Sequence, residues 1–145
     1  MVERESFGVT YKITEGGEFK EVWRAEGWYT FEEYLSEDGR YFVRFGPWAS
    51  DQENHTDLAV AFYDRGKLIK EYQVKELIRK HELLENSVSH YMWRPVIQTE
   101  PNGFYDVSFH LTMIDKTTYR FDYKTGEIIT RGKDKKAKSN REIWA

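Results

Sequence analysis

The chain of 145 residues contains no cysteine. Disulfides, thiolate nucleophiles and cysteine-based zinc sites are therefore excluded. Proline is scarce, and its three residues act as punctuation: Pro47 and Pro95 end strand-like runs, and Pro101 opens a Pro-Asn-Gly turn. No apolar run approaches the roughly 20 residues needed to cross a bilayer, so no membrane span is expected. Charge of one sign is also lacking: 22 basic residues stand against 25 acidic ones, a net charge of -3. That balance argues against a phosphate-backbone binder over the whole surface, so no nucleic-acid partner is expected. The start, Met1 to Glu5, has neither the basic segment nor the apolar stretch of a signal peptide. Two compartments stay open, the cytoplasm or an extracytoplasmic space reached with a leader since removed. No HExxH, HxH or GxSxG spacing occurs, and no cofactor is implied.

What the chain does have is rings. Aromatic residues make up 17% of it, with five tryptophans, ten tyrosines and nine phenylalanines. Large rings bury much area each, so a modest number can fill the core of one domain.

The dominant periodicity is two. Leu58, Val60 and Phe62 alternate with Ala59, Ala61 and Tyr63, and Asp64-Arg65-Gly66-Lys67 turns the run back into Leu68 to Val74. Arg40 to Gly46 carries bulk on both faces, which predicts a central strand covered on two sides. Phe7 to Ile13 and Phe19 to Ala25 predict a first hairpin around Gly16-Gly17, with a bulge or an irregular end in its second strand. Thr30 to Leu35 reads as extended, Val88 to Trp93 as a short strand, and Tyr105 to Met113 as one long alternating strand. Tyr119 to Tyr123 and Glu127 to Thr130 close the series. The sum is a mainly β protein, an antiparallel meander of about eight or nine short strands. One helix is predicted from about Val74 to Leu84. The expected core is Tyr41, Val43, Phe45, Leu58, Val60, Phe62, Leu68, Leu77, Val107, Phe109, Leu111, Tyr119 and Phe121.

Residues 1–131 read as a single β-rich domain. From Arg131 to Arg141 six basic residues face one acid, Asp134, so residues 132–145 read as a basic, flexible tail.

The segments Glu18 to Trp23, Leu35 to Tyr41 and Phe121 to Ile129 resemble strand-turn units of β-propeller blades. The stretch from Trp23 to Ile129 also resembles a group of uncharacterised bacterial proteins, often exported. A closed propeller needs at least about four blades of four strands each, and this chain supplies about two blades' worth on that measure. The resemblance therefore implies an open propeller-like meander, a sandwich or an open barrel.

Candidate sites follow from residue type. Trp28, Tyr29, Trp48, Tyr91 and Trp93 fall at strand ends and loops, where rings can form a platform for a protein or a carbohydrate-like ligand or can plug the sheet ends. Arg44, inside the two-sided strand, requires a carboxylate, carbonyls or an anionic ligand. His90 and His110 with Asp106 could supply three metal ligands if they converge. Ser89 and His90, adjacent on a strand, would point to opposite faces and could not pair. Asp51, Glu53, Asn54 and Asp57 put four oxygen-bearing side chains in one loop, without the spacing of a calcium loop. The expectation is a binding or protein-interaction module without catalytic activity. The alternatives are a hydrolase or metal-dependent enzyme using His90, His110 and Asp106, and a structural domain that pairs with itself as a homodimer.

Overall fold

A computed structural model describes residues 7–26 and 32–144. Its strands are β1 (Phe7–Ile13), β2 (Phe19–Glu26), β3 (Glu33–Leu35), β4 (Tyr41–Phe45), β5 (Leu58–Asp64) and β6 (Lys67–Gln73). After the one-turn helix α1 (Val74–Leu77) come β7 (Glu85–Asn86), β8 (Tyr91–Met92), β9 (Gly103–Tyr105), β10 (Ser108–Thr112), β11 (Thr117–Asp122) and β12 (Glu127–Lys133). A second short helix, α2 (Asn140–Trp144), follows. All pairings are antiparallel. Two four-stranded meanders run β3-β4-β5-β6 and β9-β10-β11-β12, and β1-β2 and β7-β8 are two-stranded.

The β5–β6 turn shows how locally the first sheet is specified. Arg65 and Gly66 take φ of 50° and 81°, the left-handed pair a two-residue hairpin turn demands. Alternation then sorts the side chains. Val43, Phe45, Val60 and Phe62 enter one core with Phe109, Leu111, Tyr119 and Phe121 of the second sheet. Phe62 meets the Phe109 and Phe121 rings at centroid distances of 5.9 and 5.0 Å. On the other face of the first sheet, Phe42, Ala61 and Tyr63 pack against Trp23 and Ala25 of β2. All five residues of β4 are buried, so the two-faced strand read in the sequence is covered on both sides. Trp23 donates its indole N–H to the Gly39 carbonyl at 2.7 Å, which fastens the hairpin layer to the β3–β4 turn.

The expected core needs correction at three positions. Leu68 is 50% exposed. A bulge slips β6 by one residue, so Leu68 pairs with Tyr63 while Lys70 pairs with Phe62, and the slip turns Leu68 to the outer face. Val107 is exposed because the run from Tyr105 to Met113 is two strands rather than one. Asp106, at φ 51°, bends the chain between β9 and β10. Leu58, the first residue of β5, is half-buried and packs on the Trp23 side of the sheet.

The helix is shorter than predicted. Gln73 and Glu76 form a reciprocal capping box at its start, but it ends after Leu77. Asp115 accepts the backbone N–H groups of Arg79 and Lys80 at 2.7 and 2.9 Å, drawing them out of the helical ladder. A single 3-10 turn at His81–Leu83 follows. Residues 132–144, expected as a free tail, are held in place. β12 continues to Lys133, Lys138 bridges to Ile97, Ala137 is fully buried, and Glu142 pairs with Lys116 at 3.1 Å. Trp144 remains 85% exposed. Among the described residues no helix is long and apolar enough to cross a membrane.

Candidate cleft around Trp48

Gly46 and Pro47 turn the chain out of β4. A Cβ at Gly46 would stand 1.9 Å from the Leu58 carbonyl oxygen, so only glycine fits there. The turn projects Trp48, which is 64% exposed, while Ala49 beside it is buried and accepts the Tyr91 N–H at 3.0 Å. Trp48 leans on His90 at a ring separation of 4.4 Å. Together these segments form one wall of a 790 Å3 cleft. The same cleft is lined by Met92, Val96 and Ile97, all exposed. The three prolines of the chain all border it, which fixes φ around its rim and removes backbone donors there.

Tyr91 and Trp93, both candidates for an exposed ring platform, are buried. Trp93 stands edge-on to Phe45 at 5.8 Å. Tyr91 donates its hydroxyl to Asp57 at 2.7 Å. Burial, reinforced by the Asp57 carboxylate, raises the Tyr91 pKa well above its ordinary value. The phenol therefore stays protonated as a structural donor. Trp28 and Tyr29 lie outside the described residues.

An ion pair between Arg94 and Glu32 lines the cleft. The Arg94 guanidinium also lies over the Phe45 and Trp93 rings at 4.5 and 5.1 Å, a cation–π arrangement. Burial would raise the Glu32 pKa, but hydrogen bonds from Tyr34 and Arg94 and the Arg94 charge outweigh it and hold the carboxyl below its usual value. Two amide side chains of the cleft are also bonded internally. Gln98 donates to Asn102 Oδ1 at 2.9 Å, and the same oxygen accepts the Thr112 N–H at 3.0 Å.

The proposed metal ligands are not brought together. His90 borders this cleft, His110 borders a groove on the second sheet, and Asp106 borders a third recess. Among the described residues no three His, Cys, Asp or Glu side chains could hold a metal ion. The acidic loop is consumed by its own backbone. Asp57 accepts from Ser50 and Asp51, and Asp51 accepts from Asn54 and Thr56. Arg44 is buried and donates to the Tyr63 hydroxyl at 2.9 Å. Residues 87–90 form a turn between β7 and β8 rather than a strand, so the hydroxyls of Ser87 and Ser89 lie 3.2 and 3.3 Å from His90 Nδ1. The opposed placement of Ser89 and His90 expected of a strand does not hold.

Sequence reasoning missed two polar chains. His55 and His81 meet through their Nδ1 atoms at 2.9 Å, too few ligands for a metal by themselves. Ser108 Oγ lies 2.9 Å from His110 Nε2, and His110 Nδ1 lies 3.0 Å from Glu100. That is the order of nucleophile, base and orienting acid. However, Ser108 is buried, its hydroxyl also reaches the Tyr105 carbonyl at 3.2 Å, and the Tyr105 ring stacks on His110. The groove beside them reaches the imidazole and the carboxylate but not the serine. The relay fixes a ring and offers no accessible nucleophile. Compared with known protein families, curated proteins and solved structures, the chain matches none of them.

Proposed function

We propose that this protein is a non-catalytic interaction module that takes an extended polypeptide segment into the Trp48 cleft. The observation that carries this reading is the exposed Trp48 ring and the exposed aliphatic side chains of Met92, Val96 and Ile97 lining one cleft of 790 Å3. That volume falls within the range of about 300–1,000 Å3 usual for ligand pockets. A sugar is recognised through many hydroxyls, whereas the Gln98 amide N–H groups, Asn102 Oδ1 and the Glu32–Arg94 pair are already engaged within the protein. Apolar side chains of a peptide need only the exposed aliphatic wall and the indole. The test is selection of peptides from a displayed library on the immobilised protein, run beside a glycan array. Enriched peptides should carry apolar side chains and lose affinity about tenfold or more with Trp48→Ala, the loss expected of a central aromatic anchor. Glycan binding that depends on Trp48, without peptide binding, would overturn the reading.

A second reading, self-association, is favoured by a different surface. Tyr11, Ile13, Phe19 and Val22 stand exposed on the β1–β2 hairpin, with Tyr11 and Phe19 in edge contact at 6.1 Å. Contiguous exposed apolar side chains of this kind mark association surfaces. Sedimentation across a concentration series should show a dimer that Phe19→Lys dissociates; a monomer throughout removes this reading.

A further inference from the structure

The outer face of the second sheet is polar, and its order follows from strand register. Phe109, Leu111, Tyr119 and Phe121 point into the core, so the alternate residues point away. They form two cross-strand rows. His110 pairs with Arg120 and Arg120 with Thr130; Thr112 pairs with Thr118 and Thr118 with Gly132. These rows floor a groove of 550 Å3. Gly132 keeps the floor low, since a Cβ there would stand 3.0 Å from Thr118 Oγ1.

One rim is the segment after β12. Asp134 accepts from the Thr99 N–H and hydroxyl, both at 2.6 Å, and from the Lys136 N–H at 3.0 Å. Those bonds fold the chain over the sheet edge and set Lys135 and Lys136 beside the groove. The two carboxylates of the lining are both occupied, Asp134 by these donors and Glu100 by His110. Of the five permanent cations that border the groove, Arg131 lies over the Tyr119 ring and Lys133 donates to the Asp115 carbonyl. Arg120, Lys135 and Lys136 form no ion pair among the described residues. The hydroxyls of Thr112, Thr118 and Thr130 border the same space.

We infer that this groove binds a small anion carrying one or more phosphate groups. Three uncompensated cations and a hydroxyl floor match a group with several acceptor oxygens and more than one negative charge. A lone carboxylate would leave most of these donors unused. Lysines at a sheet edge also discourage edge-to-edge pairing, but that role requires neither a recess at Gly132 nor a row of threonines facing it. The site lies on the second sheet's outer face, shares no lining residue with the Trp48 cleft, and does not depend on the interaction-module reading.

The experiment is calorimetric titration of the full chain with inorganic pyrophosphate and with a soluble inositol polyphosphate. Flotation with vesicles that contain or lack a phosphorylated inositol lipid forms a further arm. Expected is saturable one-to-one binding at low salt, weakened about tenfold or more by Arg120→Gln, since that change removes a charge-assisted bond to the anion. Gly132→Val should abolish binding by filling the floor, and Thr118→Val should weaken it, each with an unchanged circular dichroism spectrum. Lys67→Gln, on the exposed β5–β6 turn, should change nothing. Binding to vesicles alone assigns the phosphate to a lipid headgroup, and binding to the soluble anions assigns it to a free metabolite. No binding at millimolar anion, or equal losses in Arg120→Gln and Lys67→Gln, overturns the inference.

Discussion

The carboxylate of Asp115, in the β10–β11 turn, accepts the backbone N–H of Arg79 from 36 residues away at 2.7 Å. It also holds Lys80 and Thr117, at 2.9 and 3.0 Å. One buried side chain thus ends α1, shapes a turn of the second sheet and binds the two together. Asp115→Asn exchanges an acceptor for a donor opposite these N–H groups. A loss of about 1–3 kcal/mol is expected, the cost of leaving a buried donor unpaired. Urea unfolding followed by tryptophan fluorescence measures it, and an unchanged midpoint would contradict the role.

Acid should weaken the fold in a defined direction. Burial alone would raise the pKa values of Asp115 and Asp134. The N–H groups of Thr117, Lys80 and Arg79 at one, and Thr99 and neighbouring N–H groups at the other, outweigh it and hold both below the ordinary value. The unfolded chain therefore binds more protons than the folded one in this range, so stability rises with pH. The contribution is complete above the unfolded aspartate value of about 3.9 and is lost as pH falls through the lower folded values. Urea midpoints should be flat near neutrality and drop below pH of about 4, with a shallower drop in Asp115→Asn.

Gly46 and Gly16 should respond unequally to alanine. At Gly46 the new Cβ meets the Leu58 carbonyl, whereas at Gly16 nothing lies within 4 Å. Gly46→Ala is expected to cost at least about 2 kcal/mol through overpacking and backbone displacement. Gly16→Ala should stay within about 0.5 kcal/mol. Thermal unfolding of the pair decides the matter, and equal shifts would count against the close approach.

Trp48 and Trp93 should separate recognition from stability. Trp48→Ala removes an exposed ring and should change stability by no more than about 0.5 kcal/mol, while weakening peptide capture about tenfold or more. Trp93→Ala empties a buried site against Phe45 and should cost about 3–5 kcal/mol. Denaturant midpoints, read beside the binding assay, check both halves.

The regular parts of the fold were legible because they are local. Alternation through Leu58 to Tyr63 and the Arg65-Gly66 bend carry their own register, and bulk on both sides of Arg40 to Phe45 announces two covered faces. What could not be read depends on partners far along the chain. Leu68 turns outward because of a one-residue slip against Phe62 and Tyr63, which its own spacing does not reveal. The helix stops short because of Asp115, and the basic tail is held by Thr99 and Ile97. The cleft was half visible. Trp48 was marked by its place after Gly46-Pro47, but the Glu32–Arg94 pair spans 62 residues. The gathering of all three prolines on one rim is a signal that composition alone does not spell out.

The two outermost surfaces of this layered molecule are chemically unlike. The hairpin side is greasy, and the opposite side is wet, rich in hydroxyls and cations. Copies joined hairpin to hairpin would satisfy each other and leave only solvated ends. Such a pairing would close at two, because a self-complementary contact uses up the greasy face of both copies.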